Sequence, residues 1–103
     1  MNGSDEYQVK DNPAERRYEL WHNGELAGWI EYALRHGTPV LLHTEVHEPR
    51  RNAGLGTRLV RGTLDDLRAH DRKMIPICPF ITAFLRDNPE YRDLIERPTA
   101  PST

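Results

Sequence analysis

One cysteine stands in the 103 residues, so no disulfide can form within the chain. A reducing cytosol fits such a chain, and a cytoplasmic location is expected. No apolar run approaches the roughly 20 residues of a membrane span. The first residues lack the apolar core of a signal peptide. Excess positive charge is missing too: 14 Lys and Arg against 16 Asp and Glu leave a formal net charge of −2. A general nucleic-acid binder carries a basic surface, so neither nucleic acid nor a membrane is expected as a partner. No Gly-Lys-Ser/Thr run follows the central glycines, which excludes a Walker A loop. Their spacing also departs from the dinucleotide fingerprint. No internal repeat is evident. What remains is a chain 37% hydrophobic and 29% charged, polar yet not disordered in composition. Its length suits one domain with one modest core, to which association could add stability; the oligomeric state is open.

Residues 1–6 are polar and read as a disordered start, and residues 97–103, rich in Pro, Ser and Thr, as a disordered tail. Between them residues 7–96 read as a single domain. A short strand is expected at 7–10, a turn at 11–15 and an alternating strand at 17–22. Asn23-Gly24 is a strong hairpin signal, because a type I′ turn needs positive φ at both central positions. The return strand, 25–34, places Leu26, Gly28, Ile30 and Tyr32 on one face and Ala27 and Trp29 on the other. Trp21 and Trp29 fall near each other across this hairpin and are expected to pack a sheet face. After a turn at 35–39, residues 40–46 begin apolar on both faces, as suits a strand covered on both sides. A helix follows over 58–70, with Leu59, Val60, Thr63, Leu64 and Leu67 on one side. Gly62 inside it costs about 1 kcal/mol relative to alanine and marks close packing against the sheet. Residues 73–77 read as a strand. Pro79 opens a helix through Phe80, Ile81, Phe84 and Leu85, and Asn88-Pro89 starts a last short one with Tyr91, Leu94 and Ile95. Strand hairpins followed by strand–helix–strand–helix make an α/β fold with a mixed sheet.

The centre of this plan is Arg50-Arg51-Asn52-Ala53-Gly54-Leu55-Gly56-Thr57, which joins a strand to a helix. Two glycines let the backbone approach a ligand without a Cβ in the way. The first turn of the helix offers unpaired N–H groups and a dipole that favours anions, so the loop can seat a phosphate. Arg50, Arg51 and Arg58 add positive charge around that seat. The plainer reading is a strand-to-helix turn in which glycines serve tight packing.

Arg51-x-x-Gly54-x-Gly56 after a strand resembles the acyl-CoA pyrophosphate loop of the GNAT superfamily of N-acetyltransferases. His43-Thr44-Glu45-Val46, Pro76-Ile77-Cys78-Pro79-Phe80 and Asn88-Pro89-Glu90-Tyr91 are similar to a small single-domain GNAT subgroup with a Cys-Pro-Phe motif, over residues 16–95. The resemblance implies a mixed, mostly antiparallel sheet flanked by helices. The usual member has one or two helices between its first two strands, on the acceptor side. Here residues 11–16 are too few for them, which implies an open acceptor side. The implied activity is acetyl-CoA-dependent transfer to an amine, on a protein or peptide because the site is open. Pyrophosphate would sit on the amides from Arg51 to Thr57, and the pantetheine arm along His43, Thr44, Glu45 and Val46. The rival readings are a non-catalytic CoA-binding sensor or interaction module and, last, a thiol hydrolase using Cys78.

Five residues could carry chemistry. Glu45, near the strand end, could take the proton from an attacking amine, directly or through water; equally it could pair with Arg50 or Arg51. His43 and His47 are further bases, with an ordinary pKa near neutrality. His43-x-Glu45-x-His47 does not suit a metal, because the histidine Cα atoms of a straight strand lie about 13 Å apart. Cys78, before the helix opened by Pro79, could have its thiolate favoured by the helix dipole, or be a small buried hydrophobe; the resemblance favours function. Tyr91 could protonate a departing thiolate, as a tyrosine does in many members of the family, but fits core packing better.

Overall fold

The computed structural model describes residues 6–47 and 54–96. Five strands come in chain order: β1 (Tyr7–Asn12), β2 (Arg17–His22), β3 (Glu25–Arg35), β4 (Thr38–Val46) and β5 (Ile75–Pro76). They form one sheet in the same spatial order; β1 to β4 are antiparallel neighbours, and β4 and β5 run parallel. Helix α1 (Leu55–Ala69) forms the crossover that a parallel pair requires. Helix α2 (Pro79–Asp87) and a 3-10 helix (Pro89–Leu94) follow β5. The fold is therefore the mixed, mostly antiparallel α/β arrangement expected. Only residues 13–16 join β1 to β2, which leaves no room for helices there.

Local chemistry explains the hairpins. Asn23 and Gly24 take φ of 51° and 82°, as a type I′ turn requires. His36 and Gly37 repeat the pair at 51° and 82°, a second type I′ turn where only an unspecified turn was expected. α1 buries Leu59, Val60, Thr63, Leu64 and Leu67, the stripe expected of it, and also Leu55, because the helix starts at Leu55 and not at Arg58. That stripe packs on Tyr18, Leu20, Ile30, Tyr32 and Leu41 of the sheet, with Ile81, Phe84 and Leu85 from α2 completing the core. Gly62 lets α1 press onto β1, because a Cβ there would lie 2.4 Å from Val9 Cγ2.

Four expectations are corrected. Leu20 pairs with Gly28 and Trp21 with Leu26, so Ala27 is an extra residue in β3 and it, not Leu26, packs against the core. β4 is not covered on both sides: Leu42 is 43% exposed, and both helices lie on one face of the sheet. The reason is a β-bulge, since Tyr32 pairs with Leu41 and Glu31 with His43, leaving Leu42 as the extra residue. The strand at 73–77 shrinks to Ile75–Pro76, flanked by a single bridge from Met74 to Ile95. The last helix is of the 3-10 type, and the Asn88 side-chain amide donates back to the Phe84 carbonyl at 2.9 Å, closing α2 rather than capping the 3-10 helix. The disordered ends expected at 1–6 and 97–103 lie outside the described residues, Glu6 excepted.

Candidate functional site

The site is built where β4 and β5 part. Leu41 pairs with Pro76, and the Leu41 carbonyl then accepts the N–H groups of both Ile77 (2.9 Å) and Cys78 (3.0 Å). Beyond that point the chain turns into α2, because Pro79 has no N–H for a ladder and its fixed φ suits a first helical position. From Leu42 to Val46 the outer edge of β4 has no strand beside it among the described residues.

The start of α1 faces this edge. Gly54 precedes the helix with φ of 66°, a left-handed conformation that favours glycine. The first helical bond runs from Arg58 N–H to the Gly54 carbonyl at 3.0 Å. The amides of Leu55, Gly56 and Thr57 therefore have no carbonyl partner within the helix. No side chain caps them among the described residues, and the first turn holds no acidic residue. A cleft of about 350 Å³ opens here, lined by Thr44, Val46, Gly54, Leu55, Gly56, Thr57 and Phe80. Uncapped amides and the positive end of a helix dipole suit an anionic group, and the apolar wall suits a flexible arm attached to it.

The sequence family described as GCN5-related N-acetyl-transferase matches residues 17–94 of this chain. The chain belongs to that family. Among solved structures, a ribosomal-protein-alanine N-acetyltransferase from Brucella melitensis biovar Abortus 2308 is similar at 16% identity and a TM-score of 0.45. The match covers 84% of this chain and 67% of that one. Acetyl transfer, with acetyl-CoA as donor, is the general chemistry of the family.

Within this acetyltransferase fold the expected site residues divide. Thr44, Val46, Gly54, Leu55, Gly56 and Thr57 come together in the cleft. Arg50, Arg51, Asn52 and Ala53 lie outside the described residues. Arg58 is turned away, its guanidinium 4.0 Å from the centre of the Tyr7 ring. His43 and Glu45 are not in the cleft lining either. After the bulge at Leu42, Thr44 and Val46 share the helix side with Ile30 and Gly28, while His43 and Glu45 pair with Glu31 and Trp29 on the other face. There His43 Nε2 lies 3.0 Å from Glu45 Oε1, both side chains about half exposed. His47 meets the Trp29 ring edge-on at 5.4 Å.

Cys78 is on the helix side, 4% exposed, with Sγ 3.4 Å from Thr44 Oγ1. Glu45 and Cys78 thus lie on opposite sides of β4. Alternation along the strand separates them, since Thr44 faces the sulfur and its neighbour must face away. Tyr91 stands at the far end of α1. Its hydroxyl donates to Asp65 at 2.7 Å and its ring packs on Phe84 at 5.7 Å. Burial, with help from Asp65, raises its pKa above the ordinary phenol value.

Two features of the site escaped the sequence. Phe80 lines the cleft while 45% exposed. Phe80 lies one turn before Phe84 at the border of the α2 stripe, and only its ring's approach to Gly56 of α1 shows that it faces the cleft. On the open face, Glu19 is buried and accepts hydrogen bonds from Asn12 (2.9 Å), Arg17 (2.8 Å) and Trp21 (3.1 Å). Burial alone would raise its pKa, but these three donors and the Arg17 charge outweigh that and hold it below the usual carboxylate range. Arg17 also lies over the Trp29 ring, 4.9 Å from its centre, so Glu19 and Arg17 stiffen this face from β2.

Proposed function

We propose that this chain is an N-acetyltransferase that uses acetyl-CoA to acetylate an amine on a protein or peptide, in a cytoplasmic setting. The observation that carries the reading is the uncapped start of α1, opening onto a cleft continuous with the free edge of β4. The amides of Leu55, Gly56 and Thr57 hold the pyrophosphate, and the loop residues Arg50, Arg51, Asn52 and Ala53 complete its seat. Thr44 and Val46, with the exposed backbone of His43 and Glu45, line the path of the pantetheine arm, against Phe80. Acetyl-CoA, when bound, supplies a thioester carbonyl open to nucleophilic attack.

The chain's own residues divide the remaining work. An amine at neutral pH arrives as an ammonium and must lose a proton before it can attack. Glu45, bonded to His43 on the open face, takes that proton directly or through water. Cys78, nearly buried behind Thr44 and outside the cleft lining, does not present an accessible sulfur, which favours direct attack by the amine over an acetyl-cysteine route. The open face and the four-residue β1–β2 connection favour a large acceptor, since neither encloses a small amine. We also place the chain in the minimal subgroup bearing the Cys78-Pro79-Phe80 motif.

The test is a calorimetric titration with acetyl-CoA, followed by mass spectrometry of a peptide panel incubated with protein and donor. Binding with acetylation of peptides is the expected outcome. Binding without transfer to any peptide or amine would replace this reading by a CoA-binding module, and no binding would end it.

A further inference from the structure

We propose that the acceptor is a peptide whose reactive amine stands next to a large apolar side chain, and that Leu42 and Ile77 seat that side chain. This inference rests on the acetyltransferase reading above and specifies its acceptor. Among the described residues the exposed large hydrophobics are Leu34, Leu42, Ile77 and Phe80. Three of these four gather where β4 and β5 part, although most of the exposed surface lies elsewhere. Phe80 is accounted for by the cleft. Leu42 (43% exposed) and Ile77 (56% exposed) are not.

Their placement follows from the strand register. Val40 pairs with Ile75 and Leu41 with Pro76, so Leu42 and Ile77 come next, one on each side of the opening. Leu41 is fully buried toward the helices and Cys78 nearly so, and alternation turns Ile77 to the other face. The bulge at Leu42 keeps that side chain out of the core as well. The pair borders the free edge of β4, whose opposite side forms the cleft wall through Thr44 and Val46.

The surroundings favour a cationic peptide over a second copy of this chain or a lipid. Beside the apolar pair the same face carries the carboxylates of Glu31 and Glu45, both exposed. Glu31 accepts the Trp29 indole N–H at 3.1 Å, and Glu45 engages His43. Arg17, opposite Glu31 on β2, is already paired with Glu19, so the exposed carboxylates of Glu31 and Glu45 beside a small apolar patch match an ammonium beside an apolar side chain. An amine entering at the unpaired edge of β4, with Glu45 on one side of that edge and the donor cleft on the other, would place its neighbouring side chain over Leu42 and Ile77. A self-associating patch would gain nothing from those carboxylates, since like charges would meet across a two-fold interface.

The test uses two fluorescently labelled peptides that differ only in Leu or Ser next to the amine-bearing residue. Binding is followed by anisotropy, with and without saturating CoA, on the full chain and on Leu42→Ser and Ile77→Ser. Both positions are exposed, so the variants keep the core intact. The Leu peptide should bind about tenfold more tightly than its Ser twin, the discrimination expected of a small apolar seat. Each variant should erase that preference while calorimetric CoA affinity stays within about twofold of the parent. Equal binding of the twins, no peptide binding, or a preference that survives in both variants would overturn the proposal. Loss of CoA binding in the parent would instead overturn the acetyltransferase reading, so the two failures are told apart.

Discussion

Gly56→Ala separates two roles that a glycine in this loop could have. A Cβ at position 56 would lie 2.8 Å from Phe80 Cζ and 3.1 Å from Cε2, where 3.4–4 Å is ordinary contact. The ring must therefore retreat. Phe80 is 45% exposed, so it can swing outward at little cost to the core. Overpacking costs about 1–3 kcal/mol when the neighbour is fixed, and less here because the ring is free. Replacing glycine within the first turn of a helix returns up to about 1 kcal/mol in backbone entropy. The two effects nearly offset, so the unfolding free energy should stay within about 1 kcal/mol of the parent. Binding should not be spared, because Phe80 is a wall of the cleft and the ring moves within it. A loss of about tenfold in CoA affinity, or about 1.4 kcal/mol, is expected. Urea denaturation measures the first quantity and calorimetric titration the second. Adding Phe80→Ala should remove the conflict, so that Gly56→Ala costs no further affinity in that background. Parent-like affinity in a folded Gly56→Ala protein would refute the reasoning, as would a stability loss above about 2 kcal/mol, which would mean that the ring is locked.

Further outcomes can be measured on the same protein. Gly62→Ala should destabilise by about 1–2 kcal/mol despite its better helix propensity, because Val9 on β1 leaves no space, and Val9→Ala should relieve the cost in a double-mutant cycle. Glu19 is held below its ordinary pKa of 4.5 in the folded chain, so its contribution is present above that value and is lost as the pH falls below it. Urea midpoints from pH 6 down to pH 3 should decline less steeply for Glu19→Gln, which should itself cost about 1.5–3 kcal/mol at pH 7; parallel profiles would remove Glu19 from the account. For catalysis, Glu45→Gln should lower kcat by about 100-fold or more with CoA affinity unchanged, while Cys78→Ala keeps most activity. Ping-pong kinetics with an inactive Cys78→Ala protein would reverse that assignment.

Much of the fold was legible because its signals are local. Asn23-Gly24 specifies a turn through the φ values those residues tolerate, and Pro79 marks a helix start through its own ring. The α1 stripe follows from 3.6-residue periodicity, and Gly62 announced its contact with the sheet. The candidate site was legible for a related reason: Gly54 and Gly56 sit where strand becomes helix, and uncapped amides belong to that position by backbone geometry alone. The missed features depend on partners distant in sequence. The bulge at Leu42 arises from pairing β4 with β3, and nothing in residues 40–46 marks which of them is extra. Glu19 reads as one polar position in an alternating strand until Asn12, Arg17 and Trp21 close on it.

By itself, then, the sequence determined the order of elements, the turns, the buried helix stripe and the strand–glycine–helix junction, all of which follow from interactions within a few residues. Only the tertiary structure decided the sidedness. A strand alternates its side chains, but which set meets the helices depends on register, and a single extra residue at Leu42 sets the alternation of everything after it. That shift puts Thr44 against Cys78, sends Glu45 to the open face with His43, and leaves Leu42 and Ile77 bare beside the opening.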